Sequence, residues 1–266
     1  MTNTTRPAAV AGHFYPGEGK TLADTVSSLL GVAQLGPPPK AIVAPHAGYV
    51  YSGPIAASAY ARLKPQAGHI ARVVLLGPTH RVAVRGLATP GAAAFATPLG
   101  VVPLDQEALQ GIADLPQVVA SPAAHAMEHS LEVHLPFLQT VLGEFKLVPL
   151  AVGDATREEV AEVLERLWGG EETLIVVSSD LSHYLPYEAA KRVDGATAKA
   201  ILALEARVNH EQACGATALN GLLVVAQRRG LAVELLDLRN SGDTAGDRSR
   251  VVGYGAFAFF ESAPAH

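Results

Sequence analysis

The chain has 266 residues, 49% hydrophobic and 17% charged, which suits one large core better than two small ones. Its net charge of −5, from 20 Lys+Arg against 25 Asp+Glu, comes with no basic run and argues against a nucleic-acid partner. A single cysteine, Cys214, excludes an internal disulfide framework or a cysteine-rich zinc site, and no apolar run approaches the roughly 20 residues of a membrane span.

Residues 1–10 hold one arginine and no apolar segment, unlike a secretory leader, so a cytoplasmic location is expected. His13-Phe14-Tyr15-Pro16 reads as an aromatic anchor. A helix is predicted over residues 21–30, and Gly36-Pro37-Pro38-Pro39 is a stiff connector into a strand at 41–44. Helices follow over 54–63, 104–112, 130–142, 157–168, 186–205 and 211–229. Pro54 and Pro186 suit first helical positions, and Thr156 before Arg157-Glu158-Glu159 is an N-cap followed by first-turn acids. Runs 41–44, 72–76, 146–152, 173–178 and 233–238 lack polar alternation and read as buried strands, with 251–260 as a last strand. Segment 88–98, rich in Ala, Gly and Pro, reads as a loop. The alternation predicts a single-domain α/β fold, a mainly parallel sheet flanked by helices on both faces.

The polar residues fall at strand ends. His46 comes two residues after the first strand, His80 four after the second, Asp180 and His183 after the fourth, and Asp243 after the fifth. Loops leaving the carboxyl ends of parallel strands converge, so these groups are expected to meet in one polar, metal-competent pocket. Two imidazoles and a carboxylate favour non-haem Fe(II), with copper or zinc as alternatives. His46 and His80 are the candidate ligands, with Asp243 a candidate third. His183 is a candidate acid–base group that Asp180 would orient, or else a third ligand. Tyr49 and Tyr51 read equally well as packing or pocket-lining residues. His129, in Glu128-His-Ser-Leu-Glu-Val-His134, lies near the pocket at a charged helix start. His69, His125, His210 and His266 read as surface or loop residues, and Cys214 as a small mid-helix core residue.

The stretches Ala44-Pro-His-Ala-Gly-Tyr-Val-Tyr-Ser-Gly53, Leu76-Gly-Pro-Thr-His80, Glu128-His-Ser-Leu-Glu-Val-His-Leu-Pro136 and Val177-Ser-Ser-Asp-Leu-Ser-His183, with Ala11-Gly-His-Phe-Tyr15 and Val252-Gly-Tyr254, resemble the MEMO family. Its microbial members are called AmmeMemoRadiSam system protein B. The resemblance implies a fold like the LigB-like class III extradiol dioxygenases, which use Fe(II) and O₂. It also implies a metal pocket built in the animal proteins from two histidines and a cysteine. The histidines correspond to His46 and His80, and the neighbouring acid–base residues to Asp180 and His183. An ungapped count back from Tyr254 puts Thr244 at the cysteine's position, which makes Thr244 a pocket-lining residue. The resemblance implies three functions: a metal-dependent oxidoreductase of unknown small-molecule substrate, a non-catalytic metal- or phosphopeptide-binding protein, or a member of a system with a radical-SAM partner.

Overall fold

The computed structural model describes residues 4–261. In chain order the strands are β1 (Thr5–Arg6), β2 (Ala41–Ala44), β3 (Arg72–Pro78), β4 (Leu87–Thr89), β5 (Ala94–Thr97), β6 (Gly100–Pro103), β7 (Val118–Ala120), β8 (Lys146–Val152), β9 (Thr173–Ser178), β10 (His183–Leu185), β11 (Ala232–Asn240) and β12 (Val251–Phe260). The α-helices are α1 (Gly19–Gly31), α2 (Tyr49–Tyr60), α3 (Gln106–Gln110), α4 (Pro122–Ala126), α5 (Leu135–Leu142), α6 (Arg157–Leu167), α7 (Tyr187–Leu202), α8 (Ala216–Arg229) and α9 (Ser241–Thr244).

The main sheet runs β10-β12-β2-β9-β3-β8-β4-β7, with β11 also on β12. Its centre, β2-β9-β3-β8, is parallel. Alternate residues of these strands feed opposite cores, as the two-residue period requires. Ile42, Val73, Leu75 and Leu147 join the helices α1, α2 and α5 through Leu22, Ile55, Tyr60 and Phe137. Val43, Val74, Leu76 and Val148 join α6, α7 and α8 through Leu164, Ile201 and Leu222. Burial on both faces explains why these strands read as unbroken apolar runs.

Outside this centre the sheet is mixed rather than mainly parallel. Strand β12 is antiparallel to β2, β11 and β10, and β4 is antiparallel to β8. Strand β11 is only half-buried, not buried as its sequence suggests. It carries Glu234, paired with Arg62, and Asp237, paired with Arg239. Segment 88–98 is not a loop: it contributes β5 to a small sheet, β1-β5-β6. Helix α2 begins at Tyr49, and Pro54 lies inside it. Its early start is allowed because the Tyr49 amide is taken up by the Phe14 carbonyl at 2.8 Å, satisfying an orphan first-turn donor from outside the helix. Helix α6 carries the expected cap, with Thr156 and Glu159 forming a reciprocal capping box.

Candidate metal centre

Three neighbouring parallel strands deliver the site. Strand β2 leads to His46, β9 to Asp180 and β3 to His80, and in the sheet they stand in the order β2-β9-β3. The turn before α5 adds His129. The ring centroids of His46 and His80 are 5.2 Å apart, those of His46 and His129 5.5 Å, and those of His80 and His129 4.7 Å. One ligand nitrogen from each of the three lies within 4.8 Å of the others. Phe14, from the N-terminal aromatic anchor, backs His129 at 4.7 Å.

What surrounds the rings fixes their chemistry. The Ser178 hydroxyl donates to the Ser130 carbonyl at 2.6 Å, and its oxygen sits 2.6 Å from His46 Nδ1. With its own proton committed, Ser178 accepts, so His46 carries its proton on Nδ1 and keeps Nε2 as a lone pair. His80 Nδ1 lies 2.9 Å from Glu128 Oε1, which holds that proton in the same way and frees the other nitrogen. Engaging one imidazole nitrogen with a carboxylate or hydroxyl is how proteins orient metal-binding histidines. His46 is fully buried, and desolvation followed by the neighbouring His80 and His129 pushes its pKa well below the ordinary value. The ring is therefore neutral and available as a donor.

Glu128 is the keystone of this arrangement. Its side chain is 1% exposed and accepts from the amides of His80 (2.6 Å), His129 (2.9 Å) and Ser130 (3.0 Å) as well as from His80 Nδ1. Burial opposes ionisation, but the His80 ring and these amides overcome it and hold the carboxyl at about 2. His129 Nδ1 is 3.3 Å from the same oxygen but is not aligned for a hydrogen bond.

Sequence reasoning places Cys214 in a helix and in the core. The structure puts it in the turn before α8 with Sγ 3.4 Å from His46 Nε2. Its amide donates to the Asp180 carbonyl, and Sγ accepts from the Asp180 amide at 3.3 Å. Burial, then the Asp180 charge, pushes the thiol up to about 12; a cation beside it would act in the opposite direction. Thr244 lies in α9, with its hydroxyl donating to the Ser241 carbonyl. Asp243 is exposed: one carboxylate oxygen accepts from the Tyr187 phenol and the other from the Asn240 amide. Asp243 is not one of the three residues whose ligand atoms converge, which are His46, His80 and His129.

Asp180 is buried, and its Oδ1 accepts from the His46 amide at 2.8 Å. Desolvation raises its pKa, against that hydrogen bond and the nearby imidazoles of His183, His129 and His80. Among the described residues no hydrogen bond joins Asp180 to His183, so the direct hold of Asp180 is on the His46 loop. His183 lies on β10 and lines a cleft of about 850 Å³ with His80, Cys214, Leu185, Val193 and His210. Tyr49 is a packing residue, buried against Tyr15 and Phe137 with its phenol donating to the Val133 carbonyl at 2.6 Å. Tyr51 is 41% exposed. Tyr51, Tyr184 and Asp180 act electrostatically on buried Tyr254, whose pKa is raised chiefly by burial. Of the residues read as surface, His125 is buried with Nε2 on the Ala88 carbonyl, His210 is exposed at the cleft, and His266 lies outside the described residues.

Fold and site together define an α/β protein with a metal-competent histidine cluster at the carboxyl ends of its parallel strands. A family model described as "Memo-like protein" matches residues 6–258. MEMO1 family proteins of Aquifex aeolicus (38% identical, covering 94% of this chain and 97% of that one) and Nitrosopumilus maritimus (34%, 96% and 99%) are similar to it over nearly their whole lengths. So is one from Methanococcoides burtonii (38%, 94% and 98%). The chain belongs to the Memo-like family. The crystal structure of the Escherichia coli K12 protein JW3007 is a weaker likeness, at 13% identity and a TM-score of 0.47, covering 81% of this chain and 98% of that one. No helix among the described residues is long and apolar enough to cross a membrane.

Proposed function

We propose that the chain is a metal-dependent oxidoreductase of LigB-like, extradiol-dioxygenase-like architecture, acting on a small molecule in the cleft beside His80 and His183. One observation carries the reading. His46 and His80 each commit Nδ1 to an acceptor, Ser178 or Glu128, which leaves Nε2 of both rings as a donor. His46 and His80 would hold the ion, with Cys214 or His129 completing the set, so the donor chemistry fits Fe(II), with copper or zinc as alternatives. When bound, such an ion supplies Lewis acidity and, for iron or copper, one-electron chemistry.

The chain's own residues do the rest. Leu185, Val193 and Ala196 give the cleft an apolar wall against which a substrate would pack. His183, facing the same cleft, would exchange a proton with a hydroxyl group of the substrate. Asp180 would keep the His46 loop in place and add negative charge near His183. For a phosphopeptide-binding role the cleft offers no lining Arg or Lys, Arg85 is paired with Glu159 and Arg248 lies over Tyr187, which leaves Arg81, whose charge acts on His129, as its support. Partnership with a radical-SAM protein remains a proposal from the family resemblance, tested by co-purification.

Anaerobic loading with Fe(II) followed by metal analysis tests the main reading. The parent should retain near-stoichiometric metal after desalting, and a His46→Ala/His80→Ala variant should retain none. Equal retention by both would sink the proposal.

A further inference from the structure

Two non-glycine residues among those described have left-handed backbones, Tyr184 at φ 60° and Leu204 at φ 55°. Leu204 follows α7, where the Leu204 and Glu205 amides bond back to Ile201 and Ala200, an ordinary helix ending. Tyr184 terminates no helix. It is the middle residue of β10, where the pairing with β12 steps from His183↔Val252 to Leu185↔Val251. Two residues of β10 therefore face one of β12, a β-bulge with Tyr184 as the extra residue. Bulges of this kind place glycine in the left-handed position and re-aim the neighbouring side chain; here an aromatic residue takes that place, at a cost in backbone strain.

The ring does not account for the strain. It is 63% exposed, touching His183 edge-on at 5.8 Å and lying under the Arg250 guanidinium at 5.1 Å. The consequence of the bulge lies next door, where His183 and Leu185 both line the cleft. A second device holds the same loop. Asp194, buried on α7, accepts from the Ser182 amide at 3.0 Å. Its carboxylate occupies the space that any side chain at Gly253 would need, since a Cβ there would stand 2.1 Å from Oδ2.

We propose that Tyr184 is a positioning residue whose left-handed backbone, not its ring, turns His183 into the cleft, with Asp194 fixing the preceding residue. This rests on the reading of His183 as the proton-transfer group of the cleft. If the backbone is the determinant, Tyr184→Gly and Tyr184→Asn, which both tolerate positive φ, keep His183 in place. Tyr184→Val, β-branched and disfavoured there, does not.

The test uses the full chain labelled with ¹⁵N-histidine, with the His183 ring signals assigned by their loss in His183→Gln. Loading with Co(II) should displace those signals through the paramagnetic ion. Tyr184→Gly and Tyr184→Asn should reproduce the parent's displacement, and Tyr184→Val should lose it while binding Co(II) as tightly as the parent. Loss of the displacement in Gly and Asn as well would assign the effect to the ring and overturn the proposal. So would its retention in Val. If Val does not fold, Tyr184→Thr, also β-branched and disfavoured at positive φ, takes its place with the same loss expected. If the parent binds no Co(II), the metal reading fails, and the His183 signals of the metal-free variants, compared in the same way, still decide this one.

Discussion

Replacing Glu128 by glutamine removes a buried charge and turns one of two accepting oxygens into a donor. Oε1 takes His80 Nδ1 and the His129 and Ser130 amides, and Oε2 takes the His80 amide. The glutamine keeps its oxygen at the crowded Oε1 position and sets its NH₂ against the His80 N–H. A buried donor left without an acceptor costs about 1–3 kcal/mol, and the remaining bonds lose their charge assistance. The depressed pKa of Glu128 corresponds to a similar figure. The folded carboxyl is held at about 2 against an ordinary 4.5, and at about 1.4 kcal/mol per unit this is about 3 kcal/mol of stability at neutral pH. At roughly 2–4 °C per kcal/mol, Glu128→Gln should melt about 6–12 °C below the parent. Because the folded pKa is depressed, the contribution is complete above about 4.5 and disappears as pH falls towards about 2. The gap between parent and variant should therefore close over that window in urea unfolding at a series of pH values. With a neutral amide oxygen in place of the carboxylate behind its Nδ1, His80 should also hold metal about 10–100-fold more weakly in chelator competition. A gap that stays constant through the acid range, or a melting loss under about 2 °C, would refute the reasoning.

Ser178→Ala should leave His46 Nδ1 buried without an acceptor and lower metal affinity by about 10–100-fold, measured by calorimetric titration with Zn(II). Cys214→Ser and His129→Gln separate the candidate third ligands: only loss of the true ligand should weaken Co(II) binding, and only Cys214→Ser can abolish a thiolate-to-cobalt absorption band. Glu132→Gln should destabilise the fold by about 3–5 kcal/mol in urea unfolding, the usual result of stranding one member of a buried ion pair. Glu132 is fully buried and takes Arg6, the Ala9 and Val10 amides and the Tyr15 phenol. Gly253→Ala should lower the melting temperature far more than Gly31→Ala, whose added methyl meets nothing within 4 Å.

The sequence by itself determined the central architecture. Strands 41–44, 146–152, 173–178 and 251–260 were legible to the residue because burial on both faces demands unbroken apolar runs. With the strands located, His46, His80 and Asp180 could be placed at one edge of the sheet, since parallel strands send their carboxyl ends the same way. Membership of the Memo-like family was legible for a similar reason: its motifs are those strand-end loops.

Tertiary structure decided what depends on partners distant in the chain. Three-residue strands such as β4 and β7 exist only because each finds an edge to pair with, and nothing local announces them. Cys214 stands 168 residues from His46, with no spacing rule to connect them. Ser178 and Glu128 read as an ordinary strand end and a charged helix start. Their roles lie in which imidazole nitrogen they occupy, and only three-dimensional contact decides that. The pocket was thus foreseeable from strand ends, whereas its donor atoms, its cysteine and the protonation of its rings were set by packing.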